Sequence, residues 1–228
     1  MSIAENLADV RRRVADAARR AGRSPGEVTL VAVSKTFSAE AVREAWAAGQ
    51  RDFGENKVQE ALQKIEATAD IGLRWHLIGH LQSNKAKRAA AAFACIHSVD
   101  SVDLVRRLDA AGAGVDVLVQ VDLAGETTKF GAPEEAAYDC VRAALGARSI
   151  ALAGLMILPP WNDDQEQTRP WFRRLRELRD RMVQDGIPAA SLRHLSMGMS
   201  HDFEAAIEEG STLVRVGTAI FGKRQARP

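Results

Sequence analysis

The 228-residue sequence has only two cysteines and one tyrosine, and almost no surplus of charge. Cys95 and Cys140 lie far apart and match no metal-ligand spacing, so both read as buried thiols. Thirty-one basic residues against thirty acidic ones leave a formal net charge of +1. That balance gives no field for gripping nucleic acid or an anionic membrane. Arg11-Arg12-Arg13 is too short to make a nucleic-acid stripe. No apolar run approaches the length of a membrane span, and the opening MSIAENLADVRRRVADAARR has charges throughout, unlike a signal peptide. A cytoplasmic location is the expectation. No Pro/Gly/Ser-rich linker or shift in composition marks a boundary, so residues 1–228 read as one domain. What is present is a 46% hydrophobic, 27% charged composition, suited to a substantial core.

The apolar pattern alternates between two periods. Leu7, Val10, Val14 and Ala17 repeat at helical spacing between Ile3 and Ala21, before Gly22. VTLVAVSK follows, a β-branched run apolar on both faces, as in a strand covered on both sides. SAEAVREAWAAG then opens on Ser38 as N-cap and closes on Gly49. The same alternation continues through RDFGE, RWHLIG, CIHSV, VDVLVQVD, IALAGLMIL, LRHLSM and TLVRVG, with a helical segment between each pair. The longest helix sets Trp171, Leu175, Leu178 and Met182 on one face. Eight strands separated by helices imply parallel pairing, and eight such units can close. An open doubly wound sheet usually marks its first turn with glycines, and VSKTFSAE has none. The expected fold is α/β: a single (β/α)8 TIM-type barrel with an extra N-terminal helix.

Barrels of this kind place their chemistry in the loops after the strands. Lys35 directly ends the first, doubly apolar strand. Partial burial there would lower an amine's pKa and favour the nucleophilic form, whereas a lysine snorkelling to the rim would have no such role. Position alone leaves both readings open. After the seventh strand, SMGMSHD sets Ser196, Gly198 and Ser200 before a helix, and after the eighth Gly217-Thr218 offers further donors. Glycine-bearing, donor-rich loops at these two places point to phosphate, although Ser200 could also cap its helix. Arg215, at the end of the eighth strand, could pair with a carboxylate to hold the barrel closed. Against a pyridine ligand it could instead donate to the ring nitrogen and leave that nitrogen unprotonated.

These residues resemble the pyridoxal phosphate homeostasis proteins, the YggS-like family, over nearly the whole chain. The matching stretches are VAVSK (31–35), FGEN (53–56) with VQE (58–60), WHLIGHLQSNK (75–85), GLM (154–156) and LSMGMSHDFEAAIEEGSTLVRVGTAIFG (195–222). The resemblance implies a barrel similar to the N-terminal domain of alanine racemase, with pyridoxal 5'-phosphate held as a Schiff base on Lys35. It also implies Asn56 near the cofactor and Ser200, Gly217 and Thr218 on its phosphate. Ser196, Met197 and Met199 would form the turn beside them, with Arg215 at the pyridine nitrogen and His80 and Asn84 at the periphery. The chain departs from the family at Phe37-Ser38, where Lys-Pro is usual, at Lys57, and in the tail FGKRQARP.

Other signals are weaker. His76 and His80 sit at a strand end with no Cys or carboxylate at companion spacing, so no metal is expected. Glu55 reads as a base, a solvated group or a partner of a lysine, and the arginines from Arg169 to Arg181 read as a solvated face. Racemases similar to this barrel carry a second domain and a partner-subunit tyrosine; here the one tyrosine, Tyr138, falls in an outer helix. The resemblance therefore implies a noncatalytic cofactor handler, with amino or keto acids and recipient apoenzymes as partners and a monomer favoured. An amino-acid racemase and a cofactor-free lysine aldolase are the alternatives.

Overall fold

In the computed structural model, which describes residues 2–125 and 130–222, the β-branched runs become eight parallel strands. They are β1 (Thr29–Val33), β2 (Asp52–Glu55), β3 (Arg74–Leu77), β4 (Cys95–Val99), β5 (Val115–Asp122), β6 (Ile150–Ile157), β7 (His194–Ser196) and β8 (Leu213–Val216). Each pairs in parallel with its neighbours in chain order, and β8 pairs with β1, so the sheet closes into a barrel. The expected TIM-type architecture is what forms. The tail residues 223–228, where the sequence departs from its family, lie outside the described residues.

Helices follow the strands in turn: α2 (Ala39–Ala47), α3 (Val58–Ala67), α4 (Ala86–Ala92), α5 (Val102–Asp109), α6 (Glu134–Leu145), α7 (Arg169–Gln184), α8 (Phe203–Glu208) and α9 (Thr218–Phe221). Ser38 caps α2, accepting from the Ala41 N–H at 3.4 Å. The single-turn α9 and a two-residue strand, Ala132–Pro133, beside β5 are both shorter than a periodicity can register. One large apolar core joins the helices to the outer faces of the strands. A second, small cluster of Val31, Cys95, Leu118, Ala153, Met156 and Leu213 draws on five strands. Both cysteines are buried thiols, as expected, and burial pushes Cys140 up to about 11.

Two expectations for the helices need correction. On α7 the buried face is Phe172, Leu175, Leu178 and Met182; Trp171 is only partly buried, with Arg174 over its ring. A helix packed on a barrel covers a face wider than one stripe, so both aromatic rings meet the core. The α7 arginines are not simply solvated either. Arg173 and Arg176 reach the nearly buried carboxylate of Glu209 at 2.8 and 2.9 Å, and Arg169 reaches Glu208 at 2.8 Å, tying α7 to the end of α8.

The N-terminal helix α1 (Ile3–Arg20) opens on a capping box of Ser2 and Glu5 and buries Leu7, Val10, Val14, Ala17 and Ala18. Two of its polar side chains reach α8 and α9. Asn6 Nδ2 donates to the Ile220 carbonyl (2.9 Å), and Arg13 forks onto both oxygens of Glu204 (3.1 Å each). α1 therefore clamps α8 and α9, the two elements that flank the loops after β7 and β8.

Candidate functional site

β1 delivers Val33, Ser34 and Lys35 to the open end of the barrel, and the turn they make is held from behind. Lys64 of α3 donates to Glu55 Oε1 (2.6 Å) and to the Ser34 carbonyl (2.7 Å), while the Ser34 hydroxyl donates to the same Glu55 oxygen (2.7 Å). Lys64 and Glu55 are both buried, so the glutamate is a lysine's partner rather than a base or a solvated group. Burial pushes its carboxyl up, against the pull of Lys64 and Ser34. One residue past Lys35, Thr36 sits at φ +71°, a conformation that costs a β-branched residue on the order of 1–3 kcal/mol. Its N–H donates to Glu60 Oε1 at 2.7 Å, which fixes the strained turn. Phe37 and Ser38, the departures from the family pattern, have local work: Phe37 stacks on Phe221 of α9 at 5.0 Å, and Ser38 is the α2 cap.

Lys35 lines a cavity of about 480 Å³ together with Val33, Asn56, Ile78, Leu158, Trp161, Met199, Ser200, His201, Arg215, Gly217 and Thr218. That volume lies within the range of small-molecule sites, roughly 300–1,000 Å³. Asn56 Oδ1 is buried without a hydrogen-bond partner among the described residues, an amide that can turn oxygen or nitrogen toward a ligand. Asn56 is seated by a close approach at Gly79, where a Cβ would fall 2.3 Å from the Asn56 carbonyl oxygen. Ser200 does not cap its helix, which begins at Phe203. Its oxygen accepts from the Gly217 and Ala219 N–H groups (3.1 and 3.4 Å), stitching the β7 loop to the start of α9 and leaving its own proton to donate. The turn before it depends on Gly198, at φ +94° and so close to α8 that a Cβ would come within 2.6 Å of Ala206 Cβ.

Arg215 is only 3% exposed. Its Nη1 donates to Ser196 Oγ (2.6 Å) and its Nη2 to the Ile157 carbonyl (3.0 Å), so it does not need a carboxylate partner to be held. Burial lowers it to about 10, countered by the charge of Asp202; it remains a cation at neutral pH. A second cavity of about 430 Å³ adjoins the first across Asn56, Ile78, Leu158, Trp161, Met199 and His201. His80 lines this one, stacked on Phe130 at 3.7 Å with Asp100 3.4 Å away.

Of the residues singled out in the sequence, Lys35, Asn56, Met199, Ser200, Arg215, Gly217 and Thr218 thus share one cavity. Ser196 and Met197 are fully buried beneath it, and Asn84 is exposed in the 3-10 turn Ser83–Lys85 and lines neither cavity. Trp161, which lies 4.0 Å from His201 and is 66% exposed, was not anticipated; its signal was a tryptophan in the loop directly after the sixth strand. Nor was the closeness of His76, Cys95 and His97, whose ligand-type atoms lie within 4.8 Å of one another. Spacing along the chain cannot reveal a cluster made by adjacent strands. Tyr138 does lie on an outer helix, α6, with its hydroxyl on Asp185 (2.8 Å).

The chain belongs to the alanine racemase N-terminal domain family, whose model matches residues 6–225, and within it to the pyridoxal phosphate homeostasis proteins. Proteins of that name from Pseudomonas aeruginosa and Aquifex aeolicus are 46% and 43% identical to it. The matches cover 98% and 99% of this chain and 96% and 100% of theirs. PipY of Synechococcus elongatus superposes with a TM-score of 0.87 in its structure without PLP and 0.85 in the one with PLP bound. Its identity is 39% and 38% in the two cases, covering 97% of this chain and 100% of PipY.

Proposed function

We propose that this chain binds pyridoxal phosphate as a Schiff base on Lys35 and serves the intracellular homeostasis of that cofactor without catalysing a reaction of its own. The observation that carries the reading is the single cavity that gathers Lys35, Arg215, Ser200, Gly217 and Thr218, in a chain whose relatives bear that name. PipY, solved with PLP bound, supports the same ligand.

The residues suit the group. Bound there, pyridoxal phosphate supplies an aldehyde with which a lysine amine condenses. Ser200, already accepting two backbone N–H bonds, has its hydroxyl proton free for a phosphate oxygen, with Thr218 and the Gly217 backbone beside it. The Asn56 amide offers a polar contact that nothing else among the described residues satisfies. Arg215 stays protonated, so toward a ring nitrogen held there it would donate and leave that nitrogen without a proton, a weak electron sink. This supports a tether rather than a racemase, as does the place of the one tyrosine on an outer helix. The reading includes a single-domain monomer in the cytoplasm, with amino or keto acids and recipient apoenzymes as its partners.

The purified protein given pyridoxal phosphate should show a violet absorption band that shifts on borohydride reduction, with the cofactor then fixed to the chain. Lys35→Ala should abolish both. A protein that takes up no cofactor would overturn the reading, and steady-state turnover of an amino acid that Lys35→Ala removes would overturn its noncatalytic half. Ser200→Ala and Thr218→Val should each speed loss of cofactor on dialysis, roughly tenfold for one hydrogen bond to a charged group, without unfolding the chain.

A further inference from the structure

Five buried side chains from five strands form one continuous hydrogen-bonded line inside the barrel. It starts at Arg215 (β8), whose Nη1 lies 2.6 Å from Ser196 Oγ (β7). Ser196 Oγ lies 2.8 Å from His97 Nδ1 (β4), His97 Nε2 lies 3.0 Å from His76 Nδ1 (β3), and His76 Nε2 lies 3.0 Å from Asp52 Oδ1 (β2). Arg74 closes the far end with two bonds to Asp52, at 2.8 and 2.6 Å. The Ser196–His97 link joins strands that are not neighbours in the sheet, so it crosses the interior.

The chemistry of the two ends fixes the direction of every bond. A guanidinium only donates, and an ionised carboxylate only accepts. Ser196 therefore accepts from Arg215 and has one proton of its own to place. If His97 also donated to Ser196, that proton would be left inside the barrel with no acceptor, which costs a buried hydroxyl its full desolvation. With the proton given to His97 Nδ1, His97 carries hydrogen on Nε2 and donates to His76 Nδ1. His76 then carries its hydrogen on Nε2 and donates to Asp52, and every group is satisfied. Burial, then the neighbouring His76 and Arg215, hold His97 well below the ordinary imidazole range, in keeping with a neutral ring.

We propose that His97 is a positioning residue for Arg215: as a neutral imidazole protonated on Nε2, it takes the Ser196 proton and turns the serine's lone pairs to the guanidinium. Nη1 is thereby committed to Ser196 and Nη2 to Ile157, which sets the edge of Arg215 that remains for the cavity. The proposal rests on the function above only for what that edge meets; the line itself is made by the barrel's own side chains. Cys95 gives the same histidines a rival role, since Cys95, His76 and His97 could hold a soft metal ion. An ion would take the lone pairs of His76 Nδ1 and His97 Nε2 and remove the proton they share.

Nitrogen NMR of the full chain labelled with ¹⁵N-histidine, without cofactor, reads the tautomers directly. His97 and His76, assigned from His97→Gln and His76→Gln, should both show hydrogen on Nε2 and none on Nδ1. Hydrogen on His97 Nδ1, or one equivalent of zinc or copper in the purified protein by mass spectrometry, would overturn the proposal. In the loaded protein, His97→Leu and Ser196→Ala should each shift the cofactor's absorption band and speed its release roughly tenfold. His97→Gln, which keeps an acceptor and a donor, should stay within about twofold of the parent. Equal behaviour of the leucine and glutamine variants would reduce His97 to filler and overturn the proposal. If the parent takes up no cofactor, the proposed function fails while the tautomers still decide the line.

Discussion

Lys35 and Arg215 line the same cavity, yet the barrel supports them in opposite ways. Behind Lys35 the support is compact and charged: Glu55, Lys64 and Glu60 sit within thirty positions of the lysine, on β2 and α3. Behind Arg215 it is long and mostly neutral, a line of hydroxyl and imidazole that ends on Asp52 across the barrel. A charged support works by pairing and fails when one partner is lost. A neutral line works by the direction of its hydrogen bonds and fails when any link is cut. The lysine side is thus encoded locally, whereas the arginine side exists only once strands distant in the chain have met.

The largest test falls on the charged side. Lys64→Met leaves Glu55 buried and unpaired and should cost about 3–5 kcal/mol in urea unfolding, with Lys64→Met/Glu55→Gln recovering most of it. A loss below about 1 kcal/mol would mean the pair does not hold the Lys35 turn. On the neutral side Ser196→Ala leaves one Arg215 donor and His97 Nδ1 without their partner, and the expected loss is about 1–3 kcal/mol by the same measurement. Loss of no stability there would break the contrast from the other direction.

The subtlest test is the sign of the pH response. Glu55 has its carboxyl raised by burial, so the folded chain binds that proton more tightly than the unfolded one. Its contribution should therefore fall as pH rises from the ordinary value of 4.5 through the raised one. Burial also acts to raise Asp52, but hydrogen bonds from His76 and Arg74 outweigh it and hold the carboxyl low. Its contribution is full above 3.8 and lost as pH falls through the depressed value. Urea midpoints taken across acid and neutral pH should show Glu55→Gln removing the decline on the rising side and Asp52→Asn removing the one on the acid side. Identical pH profiles for the two variants would show that the two supports do not differ electrostatically.

The barrel was legible because its signal is the alternation of two periods, which VTLVAVSK and SAEAVREAWAAG display within twenty-two residues. Lys35, Ser200, Gly217 and Thr218 were legible as well, since strand ends and glycine turns are local marks. The supports were not. Lys64 looks like any surface lysine in QEALQKIEAT until α3 turns it under β1. His97 sits in CIHSV with nothing nearby to suggest a partner 99 positions away. Residues 171 and 172 show the same limit on a smaller scale, because periodicity names a face and packing decides which ring fills it.

The clamp of α1 on α8 and α9 has a consequence in time. Asn6 and Ile220 are 214 positions apart, so Asn6 must wait for α9 to be made before it finds its partner, whereas Arg11 of the same helix finds Ala48 and Gln50 early. β1 likewise gains its second neighbour only once β8 has been made. Contacts so distant in sequence make for slow closure and leave earlier strands exposed meanwhile. The lysine of the site is laid down long before Arg215, Gly217 and Thr218, so the pocket around it can be built only well after the lysine itself.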